Sequence, residues 1–135
     1  MRKKILVVDD NKHLLGLLRL NLKGKGFSIA TAANGIDAIQ KAVSLAPDLI
    51  LLDLMMPGLD GFAVCEALRK HPVTASTPII IMTGLSGQFT RFAGFESGGN
   101  DFITKPVTPK ALLGKIKELL DRPPETPNAP ATVPA

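Results

Sequence analysis

Three aspartates, a threonine and a lysine stand at the ends of apolar runs in this chain, and together they are the groups a phosphoryl-transfer site needs. Ile5 to Val8 leads into Asp9 and Asp10, Leu49 to Leu52 into Asp53, Ile79 to Met82 into Thr83, and Asp101 to Thr104 into Lys105 and Pro106. Three carboxylates held close together repel one another, and a bound cation relieves that repulsion. Magnesium suits such a cluster, because it takes oxygen ligands octahedrally and is held by one or two carboxylates together with phosphate oxygens. Calcium would call for an EF-hand loop, and the sequence has none. A lysine ammonium can neutralise charge on a phosphoryl oxygen, and a threonine hydroxyl can donate a hydrogen bond to another. Singly, each residue has a plainer explanation, a helix cap for an acid or a solvated end for a lysine. That explanation fails for the set.

The elements that must position these groups follow from hydrophobic period. Unbroken apolar runs of four or five residues alternate with longer stretches of helical spacing, the pattern of a parallel sheet covered on both faces. Strands are predicted over Lys4 to Val8, Phe27 to Ala32, Asp48 to Leu52, Ile79 to Met82 and Phe102 to Thr104. Leu14, Leu15, Leu17, Leu18 and Leu22 give the first helix a wide apolar stripe, and Gly26 can close it in the left-handed conformation. Asn34 caps a second helix over Gly35 to Leu45, whose inward positions are Ile36, Ala38, Ile39, Ala42 and Val43, with Pro47 just beyond its end. After Pro57 and Gly58, Asp60 caps a third helix to Lys70 with Phe62, Cys65 and Leu68 facing the core. Ser86 to Ser97 is a glycine-interrupted fourth, and Thr108 caps a fifth carrying Leu112, Leu113, Ile116, Leu119 and Leu120.

Strand then helix, five times, with right-handed crossovers, predicts an α/β doubly wound five-stranded parallel sheet of the flavodoxin-like type, order 2-1-3-4-5. In that order the chain reverses between the first and third strands, and ligands bind beyond the carboxyl ends of strands at such a reversal. Asp9, Asp10 and Asp53 fall there. The expected division is one domain over residues 1–121 and a proline-rich tail or linker over 122–135.

Composition narrows the function classes. The formal charge is +4, but the basic residues are scattered, tryptophan and tyrosine are absent, and no basic run is interleaved with aromatics, so direct nucleic-acid binding is not expected. A single cysteine, Cys65, cannot form an internal disulfide, and no apolar stretch is long enough for a signal peptide or a membrane span, which fits a reducing cytoplasm.

The runs Ile5-Leu6-Val7-Val8-Asp9-Asp10-Asn11 and Leu51-Leu52-Asp53-Leu54-Met55-Met56-Pro57-Gly58-Leu59-Asp60-Gly61, with the pairs Met82-Thr83 and Lys105-Pro106, resemble the response-regulator receiver domains of two-component signalling. The resemblance covers about Lys3 to Asp121. It implies that Asp53 is the phosphoacceptor, that Asp9, Asp10 and Asp53 with the backbone carbonyl of Met55 hold Mg2+, that Thr83 is the switch hydroxyl and Lys105 the phosphate-binding lysine, and that Pro106 follows a cis peptide bond. It also implies partners: a sensor histidine kinase or histidine phosphotransfer protein as donor, and a downstream target on the face formed by the fourth helix, fifth strand and fifth helix. Phosphorylation would shift a population of conformers, drawing Thr83 toward the phosphoryl group and moving the aromatic three before the lysine, here Phe102. Phenylalanine has no hydroxyl, so packing must drive its ring. The domain would be its own substrate rather than a turnover enzyme, and either a monomer or a phosphorylation-dependent dimer. It would be a free-standing shuttle or the receiver portion of a longer regulator.

Two departures from the chemotaxis member of the family bear on rate. Met55 and Leu85 replace polar residues that help place the attacking water in some relatives, so slow self-dephosphorylation is expected, and Gly84 leaves small phosphodonors unobstructed. His13 and His71 are not expected to relay phosphoryl groups, and Cys65 sits at core spacing. Phe89, Phe92 and Phe95 form a helical stripe that is core or partly exposed to a partner. An aspartyl-phosphate phosphatase would place its nucleophile on the first strand and need added loops. A phosphate-independent receiver-like module would lack one of Asp10, Asp53, Thr83 or Lys105, and all four are present.

Overall fold

The computed structural model describes residues 2–54, 56, 60–84 and 93–121. In chain order these form β1 (Lys4–Val8), α1 (Lys12–Lys23), β2 (Ser28–Ala32), α2 (Gly35–Leu45), β3 (Leu49–Asp53), α3 (Gly61–Lys70), β4 (Ile79–Thr83), helical residues 93–96 (α4), β5 (Asp101–Thr104) and α5 (Pro109–Leu120). All four strand pairings are parallel, and the sheet runs β2-β1-β3-β4-β5. This is the predicted doubly wound order.

Alternation along the strands splits the core into two layers, because successive side chains leave a strand on opposite faces. Leu6, Val8, Ile50, Leu52, Ile79, Ile81 and Phe102 face one way, against Ala38 and Ala42 of α2 and Val64, Cys65 and Leu68 of α3. Ile5, Val7, Leu49, Leu51, Ile80, Met82 and Ile103 face the other, against Leu15, Leu18 and Leu22 of α1 and Leu112, Ile116 and Leu119 of α5. Every residue of β3 and β4 is buried, as central strands covered twice must be, while β2 and β5 at the edges keep partial exposure.

The helix starts follow side-chain chemistry. Asn11, Asn34, Asp60 and Thr108 each accept a hydrogen bond from the backbone N–H three residues on, satisfying a donor that the helix leaves orphaned. Gly26 has φ +93°, the left-handed turn expected after α1. The end of α2 differs from a glycine close: Ala46 takes the left-handed conformation at φ 47° and donates to Ala42 O, with Pro47 next.

Several expected inward positions are corrected. Ile36 is 66% exposed and Leu17 52% exposed. The inward face of α2 is instead small, Gly35, Ala38 and Ala42, which lets the helix lie close on the sheet and turns the larger Ile36 outward. Val64, not among the predicted core positions of α3, is fully buried. β3 begins at Leu49 rather than Asp48, whose carboxylate accepts from Lys4 N–H at 2.7 Å, and it ends on Asp53 itself. Residues 86–92 of the expected fourth helix, the turn at Pro57 and Gly58, and the tail from Arg122 lie outside the described residues.

Candidate functional site

Parallel strands all end at one edge of the sheet, and backbone hydrogen bonds bring those ends into register. Asp9 N–H donates to Ala32 O at 3.1 Å, Leu54 N–H to Met82 O at 2.9 Å, and Lys105 N–H to Thr83 O at 2.7 Å. Asp9 follows β1 and is fully buried, Asp10 beside it is exposed, Asp53 closes β3 nearly buried, and Thr83 closes β4 buried. The Lys105–Pro106 peptide is cis.

The side chains converge. One carboxylate oxygen from each of Asp9, Asp10 and Asp53 lies within 4.8 Å of the others, a spacing that could hold a metal ion. Lys105 Nζ donates to Asp9 Oδ2 at 2.8 Å and stands 3.3 Å from Asp53 Oδ1. The other oxygen of Asp9 accepts from Asn11 N–H at 2.9 Å, so the start of α1 orients the acid that the lysine grips. Burial, the largest single influence on Lys105, favours its neutral form. The hydrogen bond to Asp9 and the charges of Asp9 and Asp53 together outweigh it and hold the lysine above its ordinary value of 10.5. The ammonium is therefore a fixed positive charge beside two acids at neutral pH.

Asp53 is placed by a close backbone approach. Gly61, the first residue of α3, donates its N–H to Leu54 O at 3.0 Å, and a Cβ there would stand 2.7 Å from both Asp53 O and Leu54 Cα. Only glycine lets α3 start against the end of β3 in this way. Its sequence sign was the glycine directly after the capping Asp60, and its steric role could not be read without the fold.

Phe102, two residues before the end of β5, pairs in register with Ile81 and sits 5% exposed on the sheet face shared with Thr83. Met55, Leu85, Phe89 and Phe92 lie outside the described residues; Phe95 is 47% exposed. The discounted groups stand apart from the cluster in role: His71 Nδ1 accepts from Val73 N–H at 3.1 Å in the turn after α3, and Cys65 is fully buried with its thiol pushed up to about 11 by burial. His13 is exposed on α1.

The sequence reading missed a long-range staple. Arg69, at the end of α3, donates to the carbonyls of Thr74, Ala75 and Thr77 in the following loop and of Gly98 before β5, and to Asn100 Oδ1. Asn100 in turn accepts from Ile79 N–H at 2.8 Å and donates its own N–H to Ile79 O at 2.8 Å, locking the starts of β4 and β5 together.

A doubly wound sheet of this order, with an acidic cluster where the chain reverses, places the molecule in the chemotaxis-regulator-like flavodoxin class. Within it the chain belongs to the response regulator receiver domain family, whose model matches residues 5–117. It is 41% identical over 122 residues to the alkaline phosphatase synthesis transcriptional regulatory protein PhoP of Bacillus subtilis, covering 90% of this chain and 50% of that protein. It is 41% identical over 119 residues to response regulator PleD of Caulobacter vibrioides, covering 88% of this chain and 26% of that protein. The chain thus spans half or less of these relatives. Among solved structures it is similar to chemotaxis protein CheY4 of Vibrio cholerae, with TM-score 0.85, 28% identity, and coverage of 88% of this chain and 99% of that one. A two-component response regulator from Clostridium difficile gives TM-score 0.84 at 35% identity, covering 90% and 98%. The protein is a receiver domain of two-component signalling, and its relatives are signalling regulators. No helix among the described residues is long and apolar enough to cross a membrane.

Proposed function

We propose that the domain is a phosphorylatable switch whose acceptor is Asp53. The observation that carries this reading is the convergence of Lys105 Nζ on Asp9 and Asp53 beside a three-carboxylate cluster at the strand ends. One oxygen of Asp53 attacks phosphorus in the phosphohistidine of a sensor kinase or phosphotransfer protein. The new P–O bond forms as the P–N bond breaks, the imidazole leaves with the electron pair, and the product is an aspartyl phosphate. Charge in the loose transition state spreads over the phosphoryl oxygens, where the Lys105 ammonium and the Thr83 hydroxyl would stabilise it.

Asp9, Asp10 and Asp53 would hold Mg2+, joined by the backbone carbonyl of Met55, which lies outside the described residues. The ion supplies charge neutralisation for the crowded anions. Because the domain provides most of these groups, it catalyses its own phosphorylation and dephosphorylation, and small acyl phosphates serve as donors. Among the described residues a Cβ at Gly84 would meet nothing within 4 Å, which supports an open approach beside Thr83.

Phosphorylation shifts the α4-β5-α5 face, through Thr83 and Phe102, toward a conformer recognised by a protein target, in the cytoplasm and without direct nucleic-acid contact by residues 1–121. The tail over 122–135 acts as linker in the second reading, in which this is the receiver portion of a longer regulator. The half-length coverage of PhoP is consistent with that reading, as the near-complete coverage of CheY4 is with a free-standing domain. Incubation with Mg2+ and a small acyl phosphate tests the proposal. It should give a labile mass gain of one phosphoryl group that Asp53→Asn abolishes; a gain that survives in the variant would refute the assignment.

A further inference from the structure

Most of the basic residues are scattered, but one cleft gathers three of them. β2 is an edge strand, with α1 packed on one face of the sheet and α2 on the other. Between the two helices, over the carboxyl end of β2, lies an open cleft of about 360 Å³, within the range of about 300–1,000 Å³ that small-molecule sites occupy. Its cations are Lys12 and Arg19 on α1 and Lys41 on α2, and its one acid is Asp37. None of Asp9, Asp10, Asp53 or Lys105 lines it.

Lys41 and Asp37 answer each other. β2 bonds β1 through alternate residues, since Ser28 N–H donates to Lys3 O and Ala32 O accepts from Asp9 N–H, so Thr31 turns its carbonyl to the open edge. Lys41 Nζ donates to that carbonyl at 2.6 Å and stands 3.2 Å from Asp37 Oδ2. Lys12 and Arg19 have no ion pair among the described residues, which leaves the cleft two positive charges in surplus. Seven residues apart, they project from one side of α1 about two turns from each other, with Gly16 between them. Glycine is a poor helix former. Here neither a left-handed backbone nor a close neighbour calls for it, because a Cβ at Gly16 would meet nothing within 4 Å among the described residues. The gap opens the helix surface down to Leu15, so the cleft has a cationic rim over an apolar floor.

We propose that this cleft binds a small organic phosphate monoester, its phosphate over Gly16 between Lys12 and Arg19 and its body against Leu15 and Ala33. A phosphate monoester carries about −1.5 to −2 charges at neutral pH, which matches the surplus of two, and a guanidinium can fork onto two of its oxygens. A single carboxylate would match half of that surplus. The site is separate from the phosphoacceptor cluster, so it stands whether or not Asp53 is the acceptor.

Titration of the full chain in chelator, followed through backbone amide chemical shifts, tests this; chelator removes any metal that could draw phosphates to the acidic cluster. The probes are glycerol 3-phosphate, glucose 6-phosphate and adenosine 5′-monophosphate, each beside its neutral parent glycerol, glucose or adenosine, with inorganic phosphate as the reference anion. At least one ester should bind about tenfold or more tighter than both inorganic phosphate and its own parent, and should shift the amides of Gly16, Thr31 and Ala33. Arg19→Gln should weaken that ester by about tenfold or more, the loss expected for a charged hydrogen bond. Gly16→Leu, a better helix former that fills the gap, should abolish binding with no fall in melting temperature. Lys117→Gln removes an exposed cation from the end of α5 and should leave binding unchanged. Inorganic phosphate binding as tightly as every ester, or Lys117→Gln weakening the ester as much as Arg19→Gln, would mean an ion-attracting surface only and would overturn the proposal, as would amide shifts confined to other parts of the chain.

Discussion

Replacing Lys105 by methionine should destabilise the empty domain more than the metal-loaded one. The ammonium lies 2.8 Å from Asp9 Oδ2 and 3.3 Å from Asp53 Oδ1. At an effective dielectric constant of ~20, a pair of unit charges at the longer of those distances attracts by about 5 kcal/mol before desolvation is subtracted. The lysine side chain keeps 27% exposure, so solvent screens part of that. A charge-assisted hydrogen bond is worth about 1.5–3 kcal/mol net. In chelator, Lys105→Met should therefore cost about 1–3 kcal/mol, a fall in melting temperature of roughly 4–12 °C for a domain of this size.

Magnesium should then narrow the gap, because the ion meets no ammonium at Asp9 in the variant. Binding at a hundred times Kd adds about 2.7 kcal/mol to the stability of either protein, and the variant should reach that point at a lower concentration, by roughly threefold to tenfold if relief of the repulsion is worth about 1 kcal/mol. Phosphorylation by acyl phosphate should slow even so. The pH dependence has a defined sign. A lysine raised above 10.5 contributes its full stabilisation below that value and loses it as pH climbs through the folded value, so the difference between the native chain and Lys105→Met in chelator should be flat near neutrality and close only above about 10.5. Thermal melts in chelator and across a magnesium titration read all of this. No destabilisation in chelator, or a gap that magnesium leaves unchanged, would refute the coupling of Lys105 to the acids.

Gly61→Ala should destabilise the fold by about 1–3 kcal/mol and slow phosphorylation, since its Cβ would sit 2.7 Å from backbone that cannot turn aside; urea melts and a labelling time course measure both. Arg69→Met should cost about 2–4 kcal/mol by leaving several loop carbonyls without their donor, and Arg69→Lys should not restore it, because an ammonium cannot fork among acceptors as a guanidinium does. Cys65, buried with its thiol pushed up to about 11, should resist a thiol reagent at neutral pH in the native domain and react at once in denaturant.

What could be read from the sequence was what depends on local order. Polar groups ending apolar runs marked the site, since the parallel order carries every strand end to one edge. Caps at Asn34, Asp60 and Thr108 were legible because a short side-chain oxygen reaches the N–H three residues on. Ile36 misled because the pattern weights large apolar residues, whereas α2 approaches the sheet through Gly35, Ala38 and Ala42. Arg69 reaches partners 29 and 31 residues away, and Gly94 at the end of α4 lies against the side chains of Phe102 and Ile81 on two strands. Neither has a sequence period to betray it. At the site, the identities of the groups were legible, but not the grip of Lys105 on Asp9 or the steric demand at Gly61.

The most direct measurement of the central claim is chemical mapping of the acceptor. Acyl-phosphate labelling in magnesium followed by borohydride reduction converts an aspartyl phosphate to homoserine, which peptide sequencing by mass spectrometry locates. Homoserine at position 53 alone is the predicted result; homoserine at Asp9 or Asp10, or a phosphoryl group on His13, would contradict it.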